Sequence, residues 1–345
     1  MIERSDKAQP LRGFFGILYL GAIAMFFATI WDQQISAWLR NHNSMLLEHL
    51  MAPSIFEGEP LGAGDLIIFA LITCLTLYLI ASFYEKKQLR SYMEIDVKWR
   101  RLYPPFFNTT AKMRRLRPQL GYILVNALCT ALLFVHTIKW LMARPRPGQV
   151  LREQFPFSPW YEVGPQFITD GIYRGSFPSG HTALATVTLG IAYCLIYCSG
   201  GRLTRYTGHF LFLWTAVVSG LMGAHRVMTG AHWLTDVVFT LFGCWLLTHW
   251  IFHWGLRVPT RVGAAQQRRT TQSKPFSELL LCVYLFLFSL GIVCISFSVR
   301  SVLIPDTPLL FILFPIGLCM SWLSMRAALQ MEMFWKKTRI SESGE

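Results

Sequence analysis

The chain has 345 residues, 53% of them hydrophobic and only 15% charged, and it carries a formal net charge of +13. The apolar residues come in long blocks, and a soluble reading would require eight wholly buried long helices in a short chain, which excludes it. Nucleic-acid binding is excluded by where the charge sits: Lys and Arg gather in alternate loops between the apolar blocks, as topology requires and as no continuous basic surface would.

Blocks of about 20 apolar residues are long enough to cross a bilayer as helices. In chain order they are Leu11–Trp31, Asp65–Tyr84, Gly121–Trp140, Thr182–Cys198, His209–Gly223, Leu234–Trp254, Leu279–Val299 and Pro308–Leu323. The first is expected to stay as a helix, because no small-residue cleavage site follows it. The N-terminus carries Arg4, Lys7 and Arg12; after the first block comes an acidic loop with Glu48, Glu57 and Glu59. The loop after the second block (85–118) holds ten basic residues between Lys86 and Arg117, and its aromatic residues suit an interfacial helix on anionic lipid. Basic residues recur after the fourth block (Arg202, Arg205), after the sixth (Arg257 to Lys274) and in the tail. The positive-inside rule then predicts cytoplasmic termini, with the loops after odd-numbered helices outside. The stretch 258–275 is rich in Arg, Gln and Thr and reads as a cytoplasmic linker. It separates a six-helix core (1–257) from a two-helix appendage and tail (276–345). Eight cysteines all fall in or beside apolar blocks and read as small apolar filler, with no disulfide framework.

The external loop 140–181 breaks the charge pattern. It and the helix end before it hold Lys139, Arg144, Arg146, Arg152 and Arg174 on the side where cations are not needed for orientation, so an anionic ligand is the simplest explanation. Three blocks concentrate chemistry there. The first is Lys139 to Pro147, where prolines end the helix; snorkelling side chains at a membrane boundary are its plain alternative. The second is Ser176 to Thr182, a Pro- and Gly-shaped turn into a helix start, where free N–H groups suit an anion. A helix cap alone explains Ser179 but not His181. The third runs from His225 to Asp236, with His232 and Asp236 four apart on one helical face. A carboxylate on one imidazole nitrogen leaves the other to attack; a pair that merely staples the helix is the alternative. All three blocks fall on the predicted external side, where cations, two histidines and a carboxylate suit phosphoryl transfer.

These blocks resemble the three-part signature of the type-2 phosphatidic acid phosphatase (PAP2) superfamily, in its membrane lipid phosphatase branch. Lys139 with Arg146-Pro147 matches the first element, Pro178-Ser179-Gly180-His181 the second, and Arg226, His232 and Asp236 the third. The resemblance implies an all-α integral membrane protein with a six-helix PAP2-like core, to which this chain adds two C-terminal helices. It implies that Lys139, Arg146 and Arg226 hold the phosphoryl oxygens with Ser179 and the Gly180 N–H. It makes His232 the nucleophile, Asp236 its orienting carboxylate and His181 the acid, then the base, with no metal and no cofactor. Two departures add candidates. His225 stands where the family usually has Ser, with packing its first reading, and Arg144-Pro145 precedes Arg146-Pro147, so the phosphate-binding arginine is open to a two-residue shift that spacing resolves toward Arg146.

The expected activity is a metal-independent phosphatase acting through a phosphohistidine on a lipid phosphate or diphosphate. Undecaprenyl diphosphate, phosphatidylglycerol phosphate, phosphatidate and lipid A phosphates all fit, and the loop residues Phe155, Phe157, Trp160 and Tyr161 favour an amphiphilic substrate. The expected setting is a bacterial inner membrane with a periplasmic site, membrane lipids as surroundings and no nucleic-acid partner; the sequence leaves oligomeric state open. Two alternatives stand beside it: a lipid-to-lipid phosphotransferase using the same phosphohistidine, and a non-enzymatic lipid transporter with a phosphate-binding vestibule.

Overall fold

The computed structural model describes residues 3–94, 110–152, 155–165, 167, 175–266, 276–303 and 308–340. All regular structure among them is helical, and eight helices are long and apolar enough to span a membrane. Their outer faces carry large apolar side chains such as Leu66, Phe210, Trp214 and Leu309, more than half exposed. Water would penalise that belt and a bilayer would not. The chain is an all-α integral membrane protein.

The helices are α1 (Glu3–Ile30), α2 (Asp32–Asn41), α3 (Met45–Leu50), α4 (Asp65–Glu94), α5 (Thr110–Ala127), α6 (Val135–Met142), α7 (Pro147–Arg152), α8 (Gly180–Thr186), α9 (Thr188–Tyr197), α10 (Arg202–Met228), α11 (Leu234–Trp250), α12 (Val258–Gln266), α13 (Ser277–Leu303) and α14 (Leu313–Ile340). A π-helical stretch, Leu128–Phe134, joins α5 to α6, and a second, Ile251–Gly255, ends α11. The wider π turn rotates the helix beyond it, and α6 carries Lys139 inward, where it is buried. The third and fifth spans are longer than hydropathy suggests, at Leu116–Arg152 and Arg202–Met228, because a helix continues past the bilayer wherever its backbone bonds stay paired.

Helix α1 packs on α11, α9 on α10, and α8 against α10 and α11. The largest buried cluster joins Tyr122, Tyr193, Ile251, Phe252, Val258 and Val262. Part of it comes from the stretch expected as a solvated linker: residues 258–266 form α12, which docks on α5 through Val258 and Val262. A nine-residue helix with two apolar positions four apart buries one face despite its polar composition. Residues 267–275 lie outside the described residues, as do 95–109 of the basic loop, where an interfacial helix was expected.

The last two helices pack on each other, and α13 also lies along α5 and α6. Only 11% of each of their spans is buried, so they face lipid over most of their surface. A buried ionic knot fastens α13 to the core. Glu278 accepts hydrogen bonds from Tyr78 Oη at 2.7 Å, Ser277 Oγ at 3.0 Å and Arg117 Nη2 at 3.4 Å, and it pairs with Arg261. A Cβ at Gly121 would sit 2.6 Å from Glu278 Cγ, so only glycine lets the two helices meet there. Arg117 in α5 and Lys139 in α6 lie 22 residues apart on one continuous helical run, which separates knot and site by about 33 Å of helix.

Candidate active site

The Arg144–Pro147 stretch is held extended between two glycines. Helix α6 ends at Ala143, which adopts φ 45°. Gly164 donates its N–H to Met142 O at 2.7 Å, and Ser176 donates its N–H to Arg144 O at 2.7 Å. A Cβ at Gly164 or Gly175 would approach the Ala143–Arg144 backbone within 2.2 and 2.5 Å, so both glycines are required by close approach. This clamp points the two arginines to different places.

Arg144 is fully buried, and the protein engages four of its five N–H donors. Its Nε donates to Ser158 O at 2.7 Å, Nη1 to Thr235 Oγ1 at 2.8 Å and to Asp236 Oδ1 at 2.5 Å, and Nη2 to Asp32 Oδ2 at 2.7 Å. Phe157 and Trp233 flank the guanidinium, each ring centroid 5.5 Å from Cζ. A planar fork with five donors suits such a cage. Asp32, from the start of α2, also accepts from the Thr235 N–H at 3.0 Å and its hydroxyl at 2.7 Å. Burial pushes the Asp32 carboxyl up against the pull of Arg144. Nothing in the local sequence marks Asp32; it lies just after an apolar block, 204 residues from Asp236.

Asp236 is the hub of the site. Besides Arg144 it takes the Trp233 N–H on Oδ2 at 2.9 Å, which caps α11. The same oxygen lies 3.5 Å from His232 Nδ1, the long edge of a hydrogen bond, so the contact is mainly electrostatic. Such bonds often tighten only with substrate. His232 is buried, and burial together with the charge of Lys139 lowers its pKa to about 3. The imidazole is therefore neutral near pH 7, with Nδ1 on the carboxylate side. Gly230, at φ 70°, ends α10 and turns the chain so that Ala231 and His232 both donate their N–H to Arg226 O at 3.1 Å. The turn is pinned to the first block by Gly148 N–H on Gly230 O at 2.9 Å.

The cations are arranged differently from Arg144. Lys139 is buried, its Nζ donating to Gly175 O and Ser176 O at 3.3 Å each. Arg146 and Arg226 feel each other's charge. Arg226 Nε is buried without a hydrogen-bond partner among the described residues, as is His225 Nδ1. Two neighbouring guanidiniums, one with an unmet buried donor, form an environment an anion would complete. Ser179 is buried at the start of α8; its N–H donates to Thr240 Oγ1 at 2.8 Å and its Oγ accepts from Thr182 Oγ1 at 2.9 Å, in place of a helix-capping bond. Phe177-Pro178, just before it, is a cis peptide. His181 follows at the edge of the site, its Nε2 2.6 Å from Glu57 Oε2, a second carboxylate that local spacing does not reveal. Arg174 lies outside the described residues.

A cavity of about 190 Å³ opens beside His181, lined by Glu57, His136, Gly180, Ile67, Leu184 and Met222 among others. It touches none of Lys139, Arg146, Arg226 or His232. The loop aromatics divide in role. Phe157 packs on Trp233 and Trp160 near Phe177 and Phe239, inside the site's wall, whereas Tyr161 is exposed. Two of the four residues expected to favour an amphiphilic substrate thus build the cage of Arg144 and its support.

Comparison with curated proteins and with solved structures found no match. The family model described as PAP2 superfamily matches residues 120–259, which takes in the end of α5, all of α6 to α11 and all three blocks described above. Members of that superfamily are generally phosphatases. Over residues 120–259 the chain is similar to the PAP2 superfamily.

Proposed function

We propose that this protein dephosphorylates a lipid phosphate or diphosphate through a phosphohistidine at His232, without a metal, as the family resemblance implies. The observation that carries the reading is the state of His232: buried, neutral, with Nδ1 on a carboxylate that is itself pinned by Arg144. A neutral imidazole so oriented has its Nε2 lone pair available for attack on phosphorus.

In this reading Lys139, Arg146 and Arg226 receive the phosphoryl oxygens, with Ser179 and the Gly180 N–H at the helix start. Arg144 is removed from that set, because its donors are already engaged and moving them would strip Asp236 of its counter-ion. His181 gives its proton to the leaving oxygen as the P–O bond breaks, then takes one from water as the P–N bond is hydrolysed. The distribution of basic residues among the loops supports a site on the periplasmic face of an inner membrane, with cytoplasmic termini. A lipid substrate, of the undecaprenyl diphosphate, phosphatidylglycerol phosphate, phosphatidate or lipid A phosphate type, is supported by a site built at the ends of membrane spans.

The test is release of inorganic phosphate by the purified protein across a panel of these lipids, with His232→Ala as control. Release abolished by that substitution, in a protein of unchanged melting temperature, is the expected result. Failure on every lipid phosphate would sink the reading. Labelling that depends on an acceptor lipid would replace hydrolysis with lipid-to-lipid transfer, and lipid movement across the bilayer that survives His232→Ala, without phosphate release, would favour a lipid transporter.

A further inference from the structure

The loop before α4 is closed by backbone hydrogen bonds around Glu57. Residues Ile55–Glu57 form a single 3₁₀ turn, with the Glu57 N–H on Ser54 O at 2.8 Å and the Gly58 N–H, at φ 96°, on Ile55 O at 3.1 Å. Asp65 Oδ1 accepts the Ile55 N–H at 3.0 Å, and the Ala63 N–H donates to Ala52 O at 3.0 Å, which closes the loop at its base. A Cβ at Gly62 would fall 1.3 Å from Pro53 O, so the return of the chain demands glycine. The carboxylate this loop presents meets His181 Nε2 at 2.6 Å, across 124 residues of sequence.

Arg226 and Lys139 are the other charges that bear on His181. A histidine that must carry a proton among cations needs a counter-charge, and one nitrogen of its ring must be fixed so that the other meets the substrate. The arrangement repeats, on the leaving-group side, the Asp236–His232 pair of the nucleophile. The cavity beside His181 lies on that side and is lined largely by apolar groups, including Ile67, Leu184 and Met222.

We infer that Glu57 is the positioning residue of the proton donor: it binds His181 Nε2–H and leaves Nδ1–H facing the leaving oxygen of a lipid held toward the apolar cavity. This rests on the reading of His181 as the donor. In the step concerned, His232 Nε2 bonds to phosphorus, the bond from phosphorus to the lipid oxygen breaks, and the proton on His181 Nδ1 passes to that oxygen to give a neutral alcohol. For hydrolysis, water gives a proton back to Nδ1, its oxygen bonds to phosphorus and the P–N bond breaks, releasing phosphate.

The experiment compares two substrates in the full-length purified protein: an alkyl lipid phosphate, whose alkoxide needs a proton to leave, and an alkyl-chain nitrophenyl phosphate, whose leaving group departs without one. Glu57→Gln keeps the size of the side chain and removes its charge. It is expected to lower kcat on the alkyl substrate about 100-fold, with KM little changed, and to spare the pre-steady-state burst of nitrophenolate, which precedes the water step, since positioned acid catalysis is worth roughly 10²–10⁴-fold. Glu57→Asp should recover part of the loss. Equal losses in alkyl turnover and in the nitrophenolate burst, a change confined to KM on the alkyl lipid, or unchanged or higher activity would overturn the proposal; the last would mean that the carboxylate only occupies the site until substrate arrives. His181→Ala separates the two levels. If it retains activity on the alkyl lipid, the proton-donor reading fails, whereas if it loses that activity and Glu57→Gln does not, only the role of Glu57 fails.

Discussion

Replacing Arg144 and Arg146 in turn asks whether two cations two residues apart do different work. Arg144→Met keeps the length of the side chain and removes its four donated hydrogen bonds, to Ser158, Thr235, Asp236 and Asp32. It leaves two buried carboxylates without their shared counter-ion, and breaking a buried pair from one side costs about 3–5 kcal/mol. That is a large part of the ~5–15 kcal/mol that holds a typical domain together, and it raises the unfolded fraction by roughly two to four orders of magnitude. Arg144→Lys should fall between, because an ammonium offers three donors without the planar fork that reaches both Asp32 and Asp236. Arg146 is only half-buried, so Arg146→Ala should leave stability within about 0.5 kcal/mol while phosphate release falls with a raised KM. Thermal unfolding in detergent, read beside lipid phosphate hydrolysis, separates the two. The reasoning fails if Arg144→Met unfolds at the wild-type temperature, or if Arg146→Ala loses stability and keeps its activity.

Buried charge elsewhere leads to two more expected outcomes. The pKa of His232, about 3 in the folded protein, lies below the roughly 6.5 of an unfolded chain, so the unfolded state binds more protons between those values. The stability linked to His232 is therefore complete above about pH 6.5 and is lost progressively as pH falls toward 3, by several kcal/mol in total. Nitrogen-15 NMR of the histidine rings should show His232 neutral at pH 5, and an imidazolium there at pH 6 would contradict its burial beside Lys139. At the other end of the core, Glu278→Ala removes the buried carboxylate that Arg117 and Arg261 share. It should destabilise the protein by about 3–5 kcal/mol and increase proteolysis between α12 and α13 in detergent; an unchanged melting temperature would show that the knot does not fasten α13.

The class of the protein was legible in the order of residues because a bilayer imposes a length and a polarity that leave a one-dimensional trace. Eight apolar blocks became eight spans, and the lengths changed only where helices run on past the hydrocarbon. The His232–Asp236 pair was legible for a similar reason: four residues on a helix put two side chains on one face. Composition failed where a short polar segment had a tertiary partner. Residues 258–266 look like linker, yet Val258 and Val262 find the apolar cluster around Phe252.

By itself, then, the sequence determined the membrane class, the three blocks and the local geometry of the His232–Asp236 pair, all of which depend on spacing within a helix or along a span. Only the tertiary structure placed Arg144 in a cage of buried acceptors. The Arg144 cage draws Asp32, Ser158 and Thr235 from three separate segments, and His181 meets Glu57 across 124 residues. No local period encodes such contacts. They exist because burying a charge requires a partner, and the chain supplies that partner from wherever folding brings it.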